Sequence, residues 1–306
     1  MLRVTFLGTA ASRPTVGRNV SAVLVNRAGH LMLFDCGEGT QRQMMRFGTG
    51  FGVREIFFSH LHGDHILGVT GLLRTMALQG REDPISLWAP SGGAATLDQA
   101  VHLGVERIPF PVEIMELAPE TRLARSGFDV LAFPTKHGAP SLGYALLEHP
   151  RLGRFEPVRA RELGVPEGHM FGMLHRGEPV EIEGRTISPS EVVGPPRPGR
   201  AVVYTGDTRP CRRTVEAATG ADLLIHEATF TEDERTRARA TFHSTAREAG
   251  RVARDAGVRR LVLTHISARY AEDPRALERE ARKLFPATTV AYDGLEIEVA
   301  FRDSVD

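Results

Sequence analysis

Six residues constrain this chain more than any others. In His60-Leu61-His62-Gly63-Asp64-His65, four metal-ligand side chains stand one residue after Arg54 to Phe58, a run that reads as a buried-type strand. Packing has no use for four polar donors in six residues. Neutral imidazoles and a carboxylate are, however, the donors zinc prefers, at about 2.0–2.2 Å. A short loop after a strand lets them point inward together. The strand-then-donor arrangement recurs: His137 follows Val130 to Phe133, Asp207 follows Ala201 to Tyr204, His226 follows Leu223 to Ile225, and His265 follows Leu261 to Thr264. Residues at one end of a sheet converge on one crevice, where α/β architectures place ligands.

The six-residue cluster alone supplies too many donors for a single open catalytic site. With His137, Asp207 and His265 added, the natural partition is two metals. His60, His62 and His137 would hold one, Asp64, His65 and His265 the other, and Asp207 would bridge them. Two metals about 3.5–4 Å apart activate water near neutral pH and stabilise the attacking and leaving oxygens of a phosphodiester. The expected cofactor is two zinc ions per subunit, with manganese or another divalent metal as the alternative. His30, His102 and His149 fall outside the pattern and read as ordinary imidazoles.

Strand-like runs alternate with helical ones in both halves of the chain, which predicts two packed sheets with helices outside, a four-layer αββα sandwich of the α/β class. Ser91 and Ser244 are expected to cap helices, the latter running to about Ala256. Residues 150–200 differ in texture, with eight prolines among glycines and charges, and read as a flexible arm inserted into a single domain spanning 1–306. Within that arm, Ile182 and Ile187 flank Gly184 as in a small hairpin.

With these residues assembled, the chain resembles the metallo-β-lactamase superfamily and, within it, the ribonuclease Z family of tRNA 3′-processing endonucleases. The resemblance spans nearly the whole chain. It rests on Phe6-Leu7-Gly8-Thr9 with Arg18-Asn19, Asp35-Cys36-Gly37-Glu38-Gly39-Thr40-Gln41 and the His60 to His65 signature. His137, Gly206-Asp207-Thr208, His226-Glu227-Ala228-Thr229, His243-Ser244-Thr245 and Thr264-His265-Ile266-Ser267 with Arg269-Tyr270 continue it. The signature alone marks only the superfamily; the Asp35 to Gln41 run with the two later motifs is specific to the tRNA nucleases. The resemblance implies the same metal partition, with Asp64 as ligand and general base. It implies that Asp35 and His226 orient ligand histidines through hydrogen bonds. It also implies that His243, oriented by Glu227, protonates the leaving oxygen. Precursor tRNA is then the expected partner, losing its 3′ trailer and keeping a 3′-hydroxyl. A homodimer is implied as well, in which the arm of one subunit serves the other's active site.

Family members grip the tRNA elbow with a glycine- and proline-containing arm. Gly164, Pro166, Gly168, Phe171, Gly172 and Arg176 resemble its substrate-binding residues. Here the chain departs from the pattern: His169 stands in place of a proline, and Met173 and His175 in place of lysines. Fewer fixed cations weaken phosphate contacts and lower the salt dependence of binding. Arg176, Arg185, Arg197 and Arg200 are placed to compensate in part, and Arg235, Arg237 and Arg239 to approach the RNA backbone near the cut.

Composition limits the alternatives. Thirty-eight basic residues balance 38 acidic ones, which excludes holding a polyanion by bulk charge but not by a local patch. All the cations except Lys136 and Lys283 are arginine, a bias too general to attribute to phosphate binding. Cys36 and Cys211 suggest a reducing compartment, and the N-terminal apolar run is too short for a signal-peptide core. No run is long enough to span a membrane, so a cytoplasmic protein is expected. Two other readings remain open: a small-molecule or general phosphodiesterase of the same fold, and a metal-free RNA-binding module.

Overall fold

The structure is a computed structural model and describes residues 1–105 and 107–302. The chain opens with β1 (Leu2–Gly8), β2 (Ala22–Arg27) and β3 (His30–Phe34), each antiparallel to the next. Helix α1 (Thr40–Arg46) leads to β4 (Val53–Phe57), α2 (Gly63–Ile66) and α3 (Val69–Leu78). Then come β5 (Ile85–Pro90), α4 (Ala94–Val101) and β6 (Val112–Leu117). A second series begins with β7 (Arg122–Arg125), β8 (Phe128–Pro134) and β9 (Leu142–Glu148). It is followed by α5 (Pro157–Glu162), α6 (His169–Arg176) and the hairpin β10 (Val180–Ile182) with β11 (Arg185–Ile187). The series resumes with β12 (Ala201–Tyr204), α7 (Arg212–Ala217), β13 (Leu223–Glu227), α8 (Arg235–Ala240) and α9 (Ala246–Ala256). It ends with β14 (Leu261–Thr264), α10 (Arg275–Arg282), β15 (Thr288–Val290) and β16 (Glu296–Glu298).

Two seven-stranded sheets result, ordered β16-β1-β2-β3-β4-β5-β6 and β15-β14-β13-β12-β9-β8-β7. Strand alternation decides the layers, because successive side chains point to opposite faces. Val23, Val25, Met32 and Phe34 of the first sheet share one core with Val202, Tyr204, Leu223 and Ile225 of the second. Their neighbours Ala22, Leu24 and Leu33 pack instead against Met44, Leu72 and Met76 of α1 and α3. Val203 and Leu224 likewise pack against Ala249, Val252 and Leu277 of α9 and α10. The four layers expected from the sequence are therefore present.

The chain forms two compact units, Met1–Leu147 with Ala201–Ala300, and Glu148–Arg200 with Phe301 and Arg302. The second has a small core of its own, in which Ala160, Val165, Leu174, Val180 and Ile187 are buried. Its hairpin turns at Gly184, which has φ +81°.

Two helix starts differ from expectation. Helix α4 is capped at Gly93, and the Ser91 hydroxyl donates to the Leu117 carbonyl, 3.1 Å away. Helix α9 is capped at Thr245, not Ser244. Thr245 and Glu248 form a reciprocal capping box, while the Ser244 hydroxyl donates to the Thr208 carbonyl at 2.5 Å. In both cases a carbonyl distant in sequence outcompetes the local backbone for the hydroxyl.

Candidate active site

All the ligand-type residues leave the ends of strands. His60 and His62 follow β4, with Asp64 and His65 on α2; His137 follows β8, Asp207 follows β12 and His265 follows β14. Close approach of the two sheets beneath the site needs glycine at one point. Gly206 has φ +57°, and a Cβ there would lie 2.4 Å from Cβ of Ser59. Seven described non-glycine residues have positive φ, and four of them touch this centre: Ser12, Asp35, Phe242 and His265. Such conformations cost about 1–3 kcal/mol each and persist where the surroundings over-determine them.

The donors form two groups. His60 Nε2 and His137 Nε2 lie 2.9 and 3.3 Å from His62 Nδ1. Asp64 Oδ2 lies 3.5 Å from His65 Nε2 and 3.3 Å from His265 Nε2. Oδ2 of Asp207 stands between the groups, 3.7 Å from His60 Nε2, 3.4 Å from His65 Nε2 and 3.3 Å from His265 Nε2. Within each triad, the ligand atoms lie within 4.8 Å of one another.

Hydrogen bonds on the far side of the rings determine which nitrogens face inward. Asp35 is fully buried and accepts from the Ser59 amide and hydroxyl at 2.7 and 2.8 Å and from the Tyr204 hydroxyl at 2.6 Å. Its Oδ2 also takes the proton of His65 Nδ1, 2.8 Å away. Because the Ser59 hydroxyl donates to Asp35, it accepts from His60 Nδ1 at 3.1 Å. Thr229 repeats the device: its hydroxyl donates to Glu227 Oε2 at 2.7 Å and so accepts from His265 Nδ1 at 2.9 Å. The Phe242 carbonyl accepts from His137 Nδ1 at 3.1 Å. Each of these rings therefore presents Nε2 to the centre, with its tautomer set from behind.

The carboxylates and imidazoles of the centre shift one another strongly. Burial, reinforced by the neighbouring His65, drives His60 well below the ordinary histidine range, and burial lowers His137 too. His65 is also buried, yet Asp207 and Asp35 lift it well above that range. Burial opposes ionisation of Asp64 and Asp207, but the surrounding histidines hold both carboxyls far below the usual value. Among the described residues, His65 Nε2 and Asp207 Oδ1 are buried without a hydrogen-bond partner. Unpaired buried polar atoms are costly. Converging lone pairs, an orphaned imidazole nitrogen and an orphaned carboxylate oxygen fit divalent metal and are difficult to explain without it.

Beside this centre His243 Nδ1 lies 3.0 Å from Glu227 Oε1, and the two imidazole planes of His243 and His265 stack. Burial pushes the His243 imidazole down, but Glu227 and Asp207 raise it to about 9. Glu227 is buried and also accepts from the Thr208 and Ser244 amides at 2.8 and 3.1 Å. Arg209 donates to the His243 carbonyl and forms a buried ion pair with Glu248.

His226 differs from expectation. Alternation along β13 turns it away from Glu227; its Nδ1 meets the Glu227 carbonyl at 2.7 Å and its Nε2 has no partner. It makes no hydrogen bond to a ligand histidine among the described residues. Sequence reading assigned no role to Ser59, Tyr204, Thr229, Arg209 or Glu248. Ser59 and Thr229 lay inside recognised motifs and carried a signal, whereas the others acquire meaning only through contacts distant in sequence.

The arm residues belong to the second compact unit. Gly164 (φ +79°) follows α5, Gly168 (φ +111°) caps α6, and the Phe171 ring packs at a tilt of 51° against Phe155 with ring centres 4.9 Å apart. Gly172 lies within α6, Pro166 precedes it, and Arg176 pairs with Glu178 at 3.1 Å. Arg200 cannot serve as a phosphate contact: it is buried in a bidentate pair with Glu148, at 2.7 and 2.8 Å.

Comparison with known proteins gives a consistent assignment. A beta-lactamase superfamily domain model matches residues 172–266, and a model described as anti-Pycsar protein Apyc1 matches residues 2–146. The chain is 57% identical over 307 residues to Ribonuclease Z of Gemmatimonas aurantiaca, covering 99% of this chain and 98% of that one. It is 54% identical to Ribonuclease Z of Myxococcus xanthus, covering 99% of both. Among solved structures, the short form of human tRNase Z superposes with a TM-score of 0.72 at 28% identity, over 98% of this chain and 100% of that one. The metallo-beta-lactamase fold protein YhfI of Bacillus subtilis, at 19% identity, superposes with a TM-score of 0.71 over 97% and 100% of the two chains and supports the fold alone. On full-length similarity and on the architecture of its centre, this chain belongs to the ribonuclease Z family of the metallo-β-lactamase fold.

Proposed function

We propose that this chain is an endoribonuclease that removes the 3′ trailer of precursor tRNA by phosphodiester hydrolysis, leaving a 3′-hydroxyl on the tRNA. The observation that carries this reading is one centre where seven ligand-type side chains and a His–Glu pair converge. The chain that builds it matches Ribonuclease Z proteins from end to end. This donor set fits two divalent metals, zinc or manganese, which when bound would supply activation of water near neutral pH and neutralisation of phosphoryl charge.

The protein's own groups do the rest. His60, His62 and His137 would hold one metal, Asp64, His65 and His265 the other, and Asp207 is placed to serve both. Asp64 also takes the proton of the attacking water. Its Oδ2 is steadied by the Ser12 amide, 2.8 Å away. His243, kept cationic by Glu227, donates a proton to the departing 3′ oxygen, which is a poor leaving group without one. Asp35 and Glu227 are positioning residues, each acting through an imidazole.

The segment 150–200 acts in this reading as the tRNA-gripping arm of a single functional domain, through Gly164, Pro166, Gly168, Phe171, Gly172 and Arg176. A homodimer working in the cytoplasm completes the proposal. No helix among the described residues is long and apolar enough to cross a membrane.

The test is a trailer-bearing precursor tRNA incubated with the metal-loaded protein and with His62→Ala. Cleavage that ends in a 3′-hydroxyl and disappears in the variant is expected. Hydrolysis of bis(p-nitrophenyl) phosphate without cleavage of the precursor would replace this reading with a general phosphodiesterase.

A further inference from the structure

Two cavities flank the metal ligands and share no lining residue. One, of about 200 Å³, is lined by His243 together with Arg13, Ser267 and Arg269. The other, of about 250 Å³, is lined by His62 together with Leu61, Pro90, Ala139 and Pro140, and its remaining wall is Ser91, Gly92 and Gly93. Their linings differ, although the first cavity also has Phe230 in its wall, with the Arg269 guanidinium 5.9 Å from the centre of that ring. The first offers two guanidinium groups and a proton donor. The second is apolar: Ser91 has committed its hydroxyl to the Leu117 carbonyl, and His62 turns Nδ1 toward His60 and His137. Glycine keeps that wall bare. A Cβ on Gly93 would stand 2.8 Å from Leu61 Cδ1 and 2.9 Å from the Pro90 carbonyl.

Hydrolysis at this centre places one nucleoside on each side of the phosphorus. In the reading above, His243 protonates the leaving 3′ oxygen, so the last nucleoside of the tRNA lies on the His243 side. In-line attack puts the water opposite that leaving oxygen, and the retained ester oxygen, which carries the first nucleoside of the trailer, is equatorial, so this nucleoside can extend to the side and reach the His62 cavity. We propose that the His62 cavity seats the base of the first trailer nucleotide and holds it by apolar contact and stacking without reading its identity. The volume suits one ring system and is below that of a typical drug-sized site. Every base has an apolar π-face, and a wall without free hydrogen-bonding side chains cannot distinguish one base edge from another. This inference rests on the endoribonuclease reading and deepens it.

The test combines substrate and protein changes. Precursor tRNAs carry each of the four bases, or an abasic site, at the first trailer position or at the last position of the tRNA. They are cut by wild type, by Ala139→Trp and by Pro140→Trp, two substitutions at lining residues that fill the cavity. Pro140 is exposed, so its replacement leaves the core intact. With wild type, kcat/KM should fall roughly 5- to 100-fold when the first trailer base is removed and vary by only about twofold among the four bases. In either filled variant, base removal should cost about twofold or less. The inference is overturned if wild type cuts the abasic trailer as fast as the intact one, or if the penalty persists in both filled variants. Coupling of the variants to the tRNA-side base instead, or a difference of about tenfold among the four trailer bases, would overturn it as well. If wild type fails to cut even the intact precursor, the endoribonuclease reading itself fails, and the inference falls with it.

Discussion

Glu55, in the middle of β4, and Asp207, just past the end of β12, are both buried carboxylates in the same sandwich, yet their surroundings are opposites. Glu55 is closed off by donors. His30 Nε2 lies 2.8 Å from Oε1, Arg125 donates to both oxygens at 3.2 and 2.6 Å, and the Trp88 indole donates to Oε2 at 3.1 Å. Asp207 faces imidazole nitrogens at 3.3–3.8 Å, and its Oδ1 has no hydrogen-bond partner among the described residues. A completed network rigidifies a fold, and an incomplete one is costly unless a ligand completes it. The Glu55 cluster ties β7 to the first sheet, and the Asp207 cluster is arranged for cations.

The largest expected effect is at the open cluster. Asp207→Ala should lower trailer cleavage by on the order of 10³-fold or more, because both metal positions lose their common ligand. The companion change Glu55→Gln should leave activity per folded molecule unaltered. Steady-state cleavage with metal analysis of the same preparations checks both. Equal activity losses in the two variants would erase the contrast.

Next in size is Glu227→Gln, which should reduce kcat by roughly 10²–10³-fold, a typical contribution of an oriented proton donor. Combining it with His243→Ala should cost little more than His243→Ala alone, since the carboxylate acts through that ring. Full additivity of the two losses in single-turnover rates would contradict the pairing.

Stability reverses the order. Burial opposes ionisation of Glu55, but His30, Arg125 and Trp88 together lower its carboxyl to about 2. A folded-state value below the unfolded one means the contribution is complete above about pH 4.5 and fades as pH falls toward 2. Glu55→Gln should therefore lose about 3 kcal/mol at pH 7, and the difference from wild type should shrink through that acid window. Urea unfolding at several pH values measures this. A penalty that does not change with pH would show that packing, not charge, is what Glu55 contributes.

The arrangement of donors was legible in the sequence because each ligand follows a strand-like run and strands of one sheet deliver their ends to one place. His60, His62, His65, His137, Asp207 and His265 needed only that rule. The supports were not legible, because they depend on long-range contacts: Ser59 reaches Asp35 across 24 residues and Tyr204 reaches it across 169. The same limit explains the misplaced caps at Ser91 and Ser244, whose hydroxyls serve the distant Leu117 and Thr208 carbonyls. Arg200 read as a free cation because Glu148 lies 52 positions away. His226 shared a motif with Glu227, but strand geometry sends adjacent residues to opposite faces.

The smallest expected effect concerns RNA charge. Arg235 and Arg237 lie within 3.5 Å of Glu232 and Glu234, respectively, whereas Arg239 is exposed and has no ion pair among the described residues. Arg239→Ala should weaken precursor binding uniformly and lower the salt slope by about one, as measured by filter binding across a salt series. An unchanged slope would remove α8 from the RNA contacts.

The most direct test of the account is a titration of metal-stripped protein with zinc, following bound metal and precursor cleavage on the same sample. Cleavage should be absent without metal and reach its plateau as about two equivalents bind. Trailer removal that persists in the metal-free protein, or a chain that binds no zinc, would contradict it.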